Sequence, residues 1–311
     1  MAELMNFAAH RVHTNSMGRT FVIGILSTLP LFGDVEEMSK SILVDTTLCI
    51  GCGACATGCK IVNNLPLTDP GAAKDLPSGP LSEDALVAFA QGHGEVDGKL
   101  SADTLNVVQT HGSIFVRRFC MHCEEPTCAS VCPVGALHKT AAGPVVYDAD
   151  KCMGCRYCMM ACPFSVPRYE WKALVPKVKK CTMCAPRQAK GLQPACTAVC
   201  PVQAGIFGVR DDLLKEAEKR LREGPSKYFQ HIYGKEEVGG TSVLYLSAVP
   251  FEQLGLPANL PTEPMPLLTY RVLSKIPTLV PLGGLLLSGI WWITNRREEV
   301  ANAEKKATGV R

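Results

Sequence analysis

The stretch Cys152-Met153-Gly154-Cys155-Arg156-Tyr157-Cys158-Met159-Met160-Ala161-Cys162-Pro163 sets four cysteines at the spacing C-x2-C-x2-C-x3-C and closes on proline. The same spacing occurs at Cys49, Cys52, Cys55 and Cys59. Two looser groups also open with C-x2-C and close with C-x3-C: Cys120, Cys123, Cys128 and Cys132, then Cys181, Cys184, Cys196 and Cys200. These are all sixteen cysteines of the 311-residue chain. The rest of the composition is ordinary, with 47% hydrophobic residues, 20% charged residues and a formal charge of +3, so it points neither to nucleic acid nor to an acidic tail. The length suits about two domains and a sizeable core.

Three thiolates two residues apart on a tight loop can wrap one corner of a cubane, with backbone N–H groups turned toward the sulfides. This is the bacterial ferredoxin run for a [4Fe–4S] cluster. Gly51, Gly53, Ala54 and Gly154 sit between ligands, where a bulky side chain would hold the backbone away. The fourth cysteine of a group is expected to start a short helix and to reach the other cluster of a pair; Pro133, Pro163 and Pro201 follow it in three groups.

Two other uses of cysteine compete. Disulfide scaffolds are usually shorter chains, and a C-x-x-C bridge closes almost no loop. Structural zinc uses paired knuckles separated by a spacer, whereas here three cysteines crowd into seven residues twice over. The residues alone leave zinc open at one or two sites. Gly51-x-Gly53-x-x-Ala56 fits the dinucleotide fingerprint, but Cys52 and Cys55 occupy its variable positions and no βαβ pattern surrounds it, so it reads as a cluster loop.

The groups repeat in pairs. Asp45 and Asp148 each stand four residues before a group's first cysteine, and Pro126-Thr127-Cys128-Ala129-Ser130-Val131-Cys132-Pro133-Val134 parallels Pro194-Ala195-Cys196-Thr197-Ala198-Val199-Cys200-Pro201-Val202. The chain reads as a duplicated two-cluster ferredoxin. The expected fold class is α+β: duplicated bacterial-ferredoxin-like (2x[4Fe–4S]) domains with insertions, plus one C-terminal transmembrane helix.

Residues 63–112 are rich in Pro, Gly, Asp and Ser and read as an insertion packed on the surface of the core, with a short helix from Ser82 to Ala90. Partner contact and ordinary surface loop are both open for it. A helix is expected from Asp211, capped by that residue, with Leu213, Leu214, Ala217 and Leu221 on one face and Gly224-Pro225 at its end. Ser242 to Val249 has strand composition.

Ile276 to Thr294 is a run of 19 residues without a charge, with Trp291-Trp292 near one end, and matches a bilayer crossing. Arg296, Arg297, Lys305, Lys306 and Arg311 follow it, against Arg271 and Lys275 shortly before, which puts the tail in the cytoplasm and the cysteines on the outer side. Export of a folded cluster protein calls for a twin-arginine signal, yet Arg11 and Arg19 stand singly before the short apolar run from Phe21 to Phe32. That run reads as a degenerate signal, unless a partner carries the signal or the orientation is reversed. The expected organisation is therefore an N-terminal extension (1–42), a four-cluster core (43–210), a helix-and-strand extension (211–275), a transmembrane helix (276–294) and a basic cytoplasmic tail (295–311).

The four-group pattern over Leu43 to Gly208 resembles the ferredoxin-like electron-transfer subunits of bacterial membrane-bound respiratory oxidoreductases. Cys152 to Phe164, Phe207-Gly208-Val209-Arg210-Asp211-Asp212-Leu213, and His231 to Glu236 running into Gly239-Gly240-Thr241 look most like the iron–sulfur subunit of hydrogenase-2-type [NiFe] hydrogenases. The resemblance implies four [4Fe–4S] clusters with interlocked ligands: Cys120, Cys123, Cys128 with Cys162; Cys152, Cys155, Cys158 with Cys132; Cys49, Cys52, Cys55 with Cys200; Cys181, Cys184, Cys196 with Cys59. It also implies a non-catalytic wire between [NiFe] hydrogenase subunits on the periplasmic side and a quinone-reactive subunit in the inner membrane, with no nucleic acid involved. A formate dehydrogenase or sulfur-compound reductase subunit is the alternative within the family, and a membrane-tethered zinc or scaffold module the alternative outside it. Two departures stand out: Lys60 rather than proline follows Cys59, and a twin-arginine signal is not evident around Arg11 and Arg19.

His122, between Cys120 and Cys123, reads as a loop residue tuning its surroundings rather than a ligand. Four clusters on sixteen thiolates would add roughly −8 charges. Arg117, Arg118, Arg156, Lys177, Lys179 and Lys180 are the candidate counter-charges, with solvated surface charge as the alternative.

Overall fold

The computed structural model describes residues 39–77 and 79–308. The proposed signal, with Arg11, Arg19 and the run from Phe21 to Phe32, lies outside them. Strand β1 (Lys40–Asp45) leads into helix α1 (Ala54–Val62), which carries Cys55 and Cys59. Helices α2 (Pro70–Asp75) and α3 (Glu83–Gly92) follow, then the hairpin of β2 (Val107–His111) and β3 (Ile114–Arg118). The middle of the chain is built from very short pieces: α4 (Thr127–Ser130), the hairpin β4 (Leu137–Lys139) and β5 (Val145–Tyr147), α5 (Tyr157–Ala161), the ribbon β6 (Arg168–Tyr169) and β7 (Val178–Lys179), α6 (Ala185–Gln188) and α7 (Ala195–Ala198). After these come β8 (Gly205–Val209), α8 (Arg210–Glu223), β9 (Val243–Leu246), α9 (Met265–Leu273) and α10 (Ile276–Thr308).

Ile42, Leu43 and Val44 are all buried, which marks β1 as a strand covered on both faces. It is the centre of a three-stranded sheet, antiparallel to β8 and parallel to β9. The two-residue period of a strand divides its side chains. Ile42 and Val44 join Val243 and Tyr245 in the core that holds the cysteines, while Leu43 packs with Leu244, Leu246 and the Leu213–Ala217 face of α8. Burying each such aliphatic side chain contributes about 2 kcal/mol, so β1 fastens the cysteine core to its backing helix.

Three expectations shift. Asp211 does not cap α8: Val209, still extended at the end of β8, is the N-cap, and Asp211 and Asp212 lie in the first turn, where they favour the positive end of the helix. The 63–112 segment is not confined to the surface. Its Leu86 and Ala90 pack on Ala54, Ala195 and Val199, and Leu105, Val107 and Val108 are buried. The C-terminal helix runs past Thr294 to Thr308, because Asn295 to Ala307 is rich in helix formers and is tied by Arg296–Glu299 at 3.4 Å and Asn295–Glu299 at 3.1 Å. Residues 265–307 contain one stretch long and apolar enough to cross a membrane, with Leu279, Leu285, Leu286, Trp291 and Trp292 exposed.

Candidate metal centres

All four cysteine groups share one local construction. The third cysteine is the second residue of a short helix in every case: Cys55 in α1, Cys128 in α4, Cys158 in α5 and Cys196 in α7. The fourth cysteine therefore ends one helical turn rather than starting a helix, contrary to the sequence expectation. Proline explains the stop, since it has no N–H to donate and drives the residue before it toward extended geometry, as at Cys162 with ψ 113. Where Lys60 replaces proline, α1 continues past Cys59 to Val62.

The second residue after each group's first cysteine has a left-handed backbone: Gly51 (φ 70), His122 (φ 48), Gly154 (φ 76) and Met183 (φ 53). This conformation turns its N–H back on the preceding sulfur. Met183 N–H donates to Cys181 Sγ at 3.3 Å, and the N–H groups of Gly51 and Gly154 act in the same way on Cys49 and Cys152. Glycine supplies that backbone freely in two groups; in the others the fold imposes it on His122 and Met183. A second recurrent turn follows the C-P dipeptides, with Gly135, Ser165 and Gln203 donating to the carbonyls of Cys132, Cys162 and Cys200 at 3.2, 3.0 and 3.3 Å.

The thiols gather across groups. Cys59 has Cys181, Cys184 and Cys196 as charge neighbours, and these four line one hollow. Cys132, Cys152, Cys155 and Cys158 line another. Cys123 neighbours Cys120, Cys128 and Cys162, and Cys49 neighbours Cys52 and Cys200. Among the described residues no three His, Cys, Asp or Glu side chains close on one point as the ligands of a single ion would. Adjacent gatherings also lie within charge range of one another: Cys55 feels Cys196, Cys181 feels Cys120, and Cys128 feels Cys158.

Burial is the leading influence on the thiols whose titration shifts. It pushes Cys55 and Cys128 up to about 12 and Cys158 and Cys184 up to about 11, and raises Cys59 and Cys181 as well, with neighbouring thiols adding to the effect. Cys152 is the exception: burial raises it, but the Tyr147 hydroxyl, the N–H groups of Gly154 and Val178, and Lys177 outweigh that and hold it below the ordinary thiol range.

Of the six candidate counter-charges, Arg117 and Lys180 are buried. Lys180 Nζ donates to the carbonyls of Val145 and Cys181 and lowers Cys128. Arg118 donates to Gly255 O, Arg156 lies over the rings of Tyr169 and Trp171, and Lys177 and Lys179 pair with Asp150 and Glu170. His122 is buried, and burial followed by Lys180 and Lys139 holds its pKa well below the usual range. Its Nδ1 accepts from Val145 N–H at 2.9 Å, which leaves the proton of the neutral ring on Nε2.

Residues 112–210 match the family described as a 4Fe-4S dicluster domain. The chain is 37% identical over 249 residues to the hydrogenase-2 operon protein HybA of Shigella flexneri, an alignment covering 70% of this chain and 73% of that protein. It is 32% identical over 260 residues to the formate dehydrogenase iron–sulfur subunit of Haemophilus influenzae, covering 82% and 79%. A protein of Nitratidesulfovibrio vulgaris is 40% identical over 274 residues, covering 88% and 71%. The chain belongs to this family of iron–sulfur electron-transfer subunits.

The residues fit the 4Fe-4S group of that family. Two hollows lined by four sulfurs each, with backbone N–H groups aimed at several sulfurs, suit a cubane of thiolate ligands. Supporting groups that sequence reasoning missed are Lys139, whose Nζ ties the carbonyls of His122 and Cys123 at 3.2 and 3.1 Å, and Asn106, which donates to Cys55 O at 2.8 Å. Neither has a local motif, because each reaches its loop from a strand or turn distant in sequence. The first group is covered by the 63–112 segment: a Cβ on Gly94 would collide with Cys52 O, and one on Gly53 would meet the Glu95 backbone.

Proposed function

We propose that this subunit is a one-electron conduit with four thiol sets, each holding a [4Fe–4S] cluster. The sets are Cys49, Cys52, Cys55 and Cys200; Cys181, Cys184, Cys196 and Cys59; Cys120, Cys123, Cys128 and Cys162; and Cys152, Cys155, Cys158 and Cys132. The observation that carries the reading is the row of thiol neighbours Cys55–Cys196, Cys181–Cys120 and Cys128–Cys158, which links the sets end to end in that order. Bound there, the clusters would supply one-electron carriers. The chain's own residues anchor them, turn N–H groups toward the sulfurs and keep water from the inner sets. No proton needs to move with the electron.

The recurrent turn in all four groups supports a duplicated two-cluster ferredoxin over 43–210, followed by an extension over 211–275. α10 is the membrane anchor, with the crossing at 276–294 and the basic end from residue 295 in the cytoplasm, so that the cysteine core lies on the periplasmic side of the inner membrane. α9, just before the anchor, approaches α4, which carries Cys128. This makes the last two sets the membrane end, facing a quinone-reactive subunit, and the first set the end that meets the catalytic subunit. A [NiFe] hydrogenase is the catalytic partner, in keeping with the hydrogenase-2 operon relative. The formate dehydrogenase relative aligns over a larger share of the chain and supports a second reading, with formate dehydrogenase as partner.

Purified without oxygen, the chain is expected to hold about 16 iron atoms and as many acid-labile sulfides. Colourless protein loaded with zinc overturns the proposal. Nickel in the co-purified complex supports the hydrogenase reading, and molybdenum supports the second. A reporter fused after Arg311 is expected to be active on the cytoplasmic side; periplasmic activity reverses the orientation.

A further inference from the structure

Arg117 is a buried cation with no anion beside it on the chain. It lies in β3 opposite Val108 and is 4% exposed. Among the described residues it pairs with no carboxylate within 4 Å. Nη1 donates to Cys196 O at 3.3 Å, while Nε and Nη2 are buried without a hydrogen-bond partner. The fold makes room for it: a Cβ at Gly205 would stand 2.9 Å from Nη1. The Phe119 ring, 4.4 Å from the guanidinium carbon, closes one side, and the backbone is pinned by the Tyr245 hydroxyl donating to Arg117 O at 2.6 Å.

Burying a guanidinium is costly unless negative charge answers it. The groups in reach that become anionic as iron ligands are the thiols of two different sets. The charge neighbours of Arg117 are Cys55 and Cys200 of the first and Cys196 of the second, whose carbonyl it meets at 3.3 Å. A [4Fe–4S] core with four thiolates carries roughly −2 when oxidised and −3 when reduced. A fixed positive charge beside it therefore favours the reduced form. Arginine keeps its charge across the whole working pH range, so this bias does not titrate away.

We propose that Arg117 is the shared counter-charge of two neighbouring sets, Cys49, Cys52, Cys55, Cys200 and Cys181, Cys184, Cys196, Cys59, and that it raises the reduction potentials of both. It is a positioning and tuning residue, not a ligand. The inference rests on the four-cluster reading and adds an asymmetry to it, because the thiols that act on Arg117 are Cys55, Cys196 and Cys200, all of the first two sets.

The test compares full-length wild type, Arg117→Gln and Arg117→Lys, purified without oxygen, by iron content and by a redox titration followed by electron paramagnetic resonance. Wild type without iron overturns both readings. With wild type holding about 16 iron atoms, Arg117→Gln is expected to move two midpoint potentials to more negative values and leave two in place. Arg117→Lys, which keeps the charge, is expected to stay closer to wild type. If Arg117→Gln loses iron while Arg117→Lys keeps it, the required property is charge, and the proposal stands. Four unchanged midpoints in loaded Arg117→Gln overturn the proposal while leaving the four-cluster reading intact. So does an equal loss of iron from the lysine and glutamine variants, or an equal shift of their potentials.

Discussion

The gathering of Cys59, Cys181, Cys184 and Cys196 and the gathering of Cys132, Cys152, Cys155 and Cys158 use the same helical turn, but they meet water differently. In the first, Cys59, Cys181 and Cys196 are buried. In the second only Cys158 is buried, Cys155 is exposed, and Met153, Tyr157 and Met160 stand out into solvent around it. Burial pushes Cys59, Cys181 and Cys184 up in the first; in the second it raises Cys158, but Cys152 is held down. The comparison teaches that the turn fixes where the sulfurs point, and the surrounding chain fixes how they behave. A shielded inner gathering suits passage within the protein, and an exposed outer one suits exchange with a partner.

Cutting one ligand from each gathering gives the largest contrast. Cys181→Ala is expected to lose about 4 of 16 irons and to stop electron passage from the Cys49 end to the Cys152 end, since it empties an internal position of the row. Cys155→Ala is expected to lose the same amount of iron but leave the other three sets reducible from the Cys49 end. Iron assay and stopped-flow reduction read both, and uninterrupted passage in Cys181→Ala would break the proposed order.

The cover over the first group depends on a nearly buried ion pair. Lys60 is 2% exposed and pairs with Glu95, whose carboxyl is held below the usual range by Lys60 and Thr68 despite its burial. Glu95→Gln is expected to cost about 2 kcal/mol in denaturant unfolding, between the values for exposed and buried pairs. The sign follows from the lowered pKa. This contribution is present above the ordinary carboxylate range and is lost as pH falls through the lower folded value. A difference between wild type and variant that persists well below that value would contradict the assignment.

Thiol reactivity sharpens the inner–outer contrast directly. In iron-stripped protein at pH 8, iodoacetamide is expected to modify Cys152 about tenfold or more faster than Cys181, with the gap narrowing as pH rises. Mass spectrometry of timed samples measures it, and equal rates would erase the distinction. The smallest effect concerns Arg187 and Glu83, which form a two-pronged bridge at 2.8 and 2.6 Å between α6 and α3. Glu83 is largely exposed and held low by Arg187, so Glu83→Gln is expected to cost ~0.5 kcal/mol above the carboxylate range and nothing in acid, with high salt weakening it.

Much of this arrangement is legible in the sequence because a cluster loop is local. Ligand spacing, Gly51 and Gly154, and the parallel between Pro126–Val134 and Pro194–Val202 all lie within a few residues of one another. What was hidden is set by distant contacts. The fourth cysteine, followed by proline, is expected to begin a helix, whereas it closes the turn built from the third cysteine onward. Polar and turn-forming residues in 63–112 masked Leu86, Ala90, Leu105 and Val107, whose burial depends on partners such as Ala195 and Val199. Six basic residues near the cysteines looked alike in sequence; only the packing around Phe119 and Gly205 distinguishes Arg117.

The central strand of the main sheet is the first element of the described chain, and both its neighbours arrive late. β1 waits for β8 on one side and β9 on the other. At ribosomal speeds of about 5–20 residues per second, the interval between them is on the order of ten seconds. During that time Ile42, Leu43 and Val44 lack both neighbouring strands, and the cysteines between β1 and β8 emerge one group after another before the sheet can close. Maturation is therefore a problem of timing as well as of geometry: a nascent apolar strand and unfilled thiols must be sheltered together until the last strand leaves the ribosome.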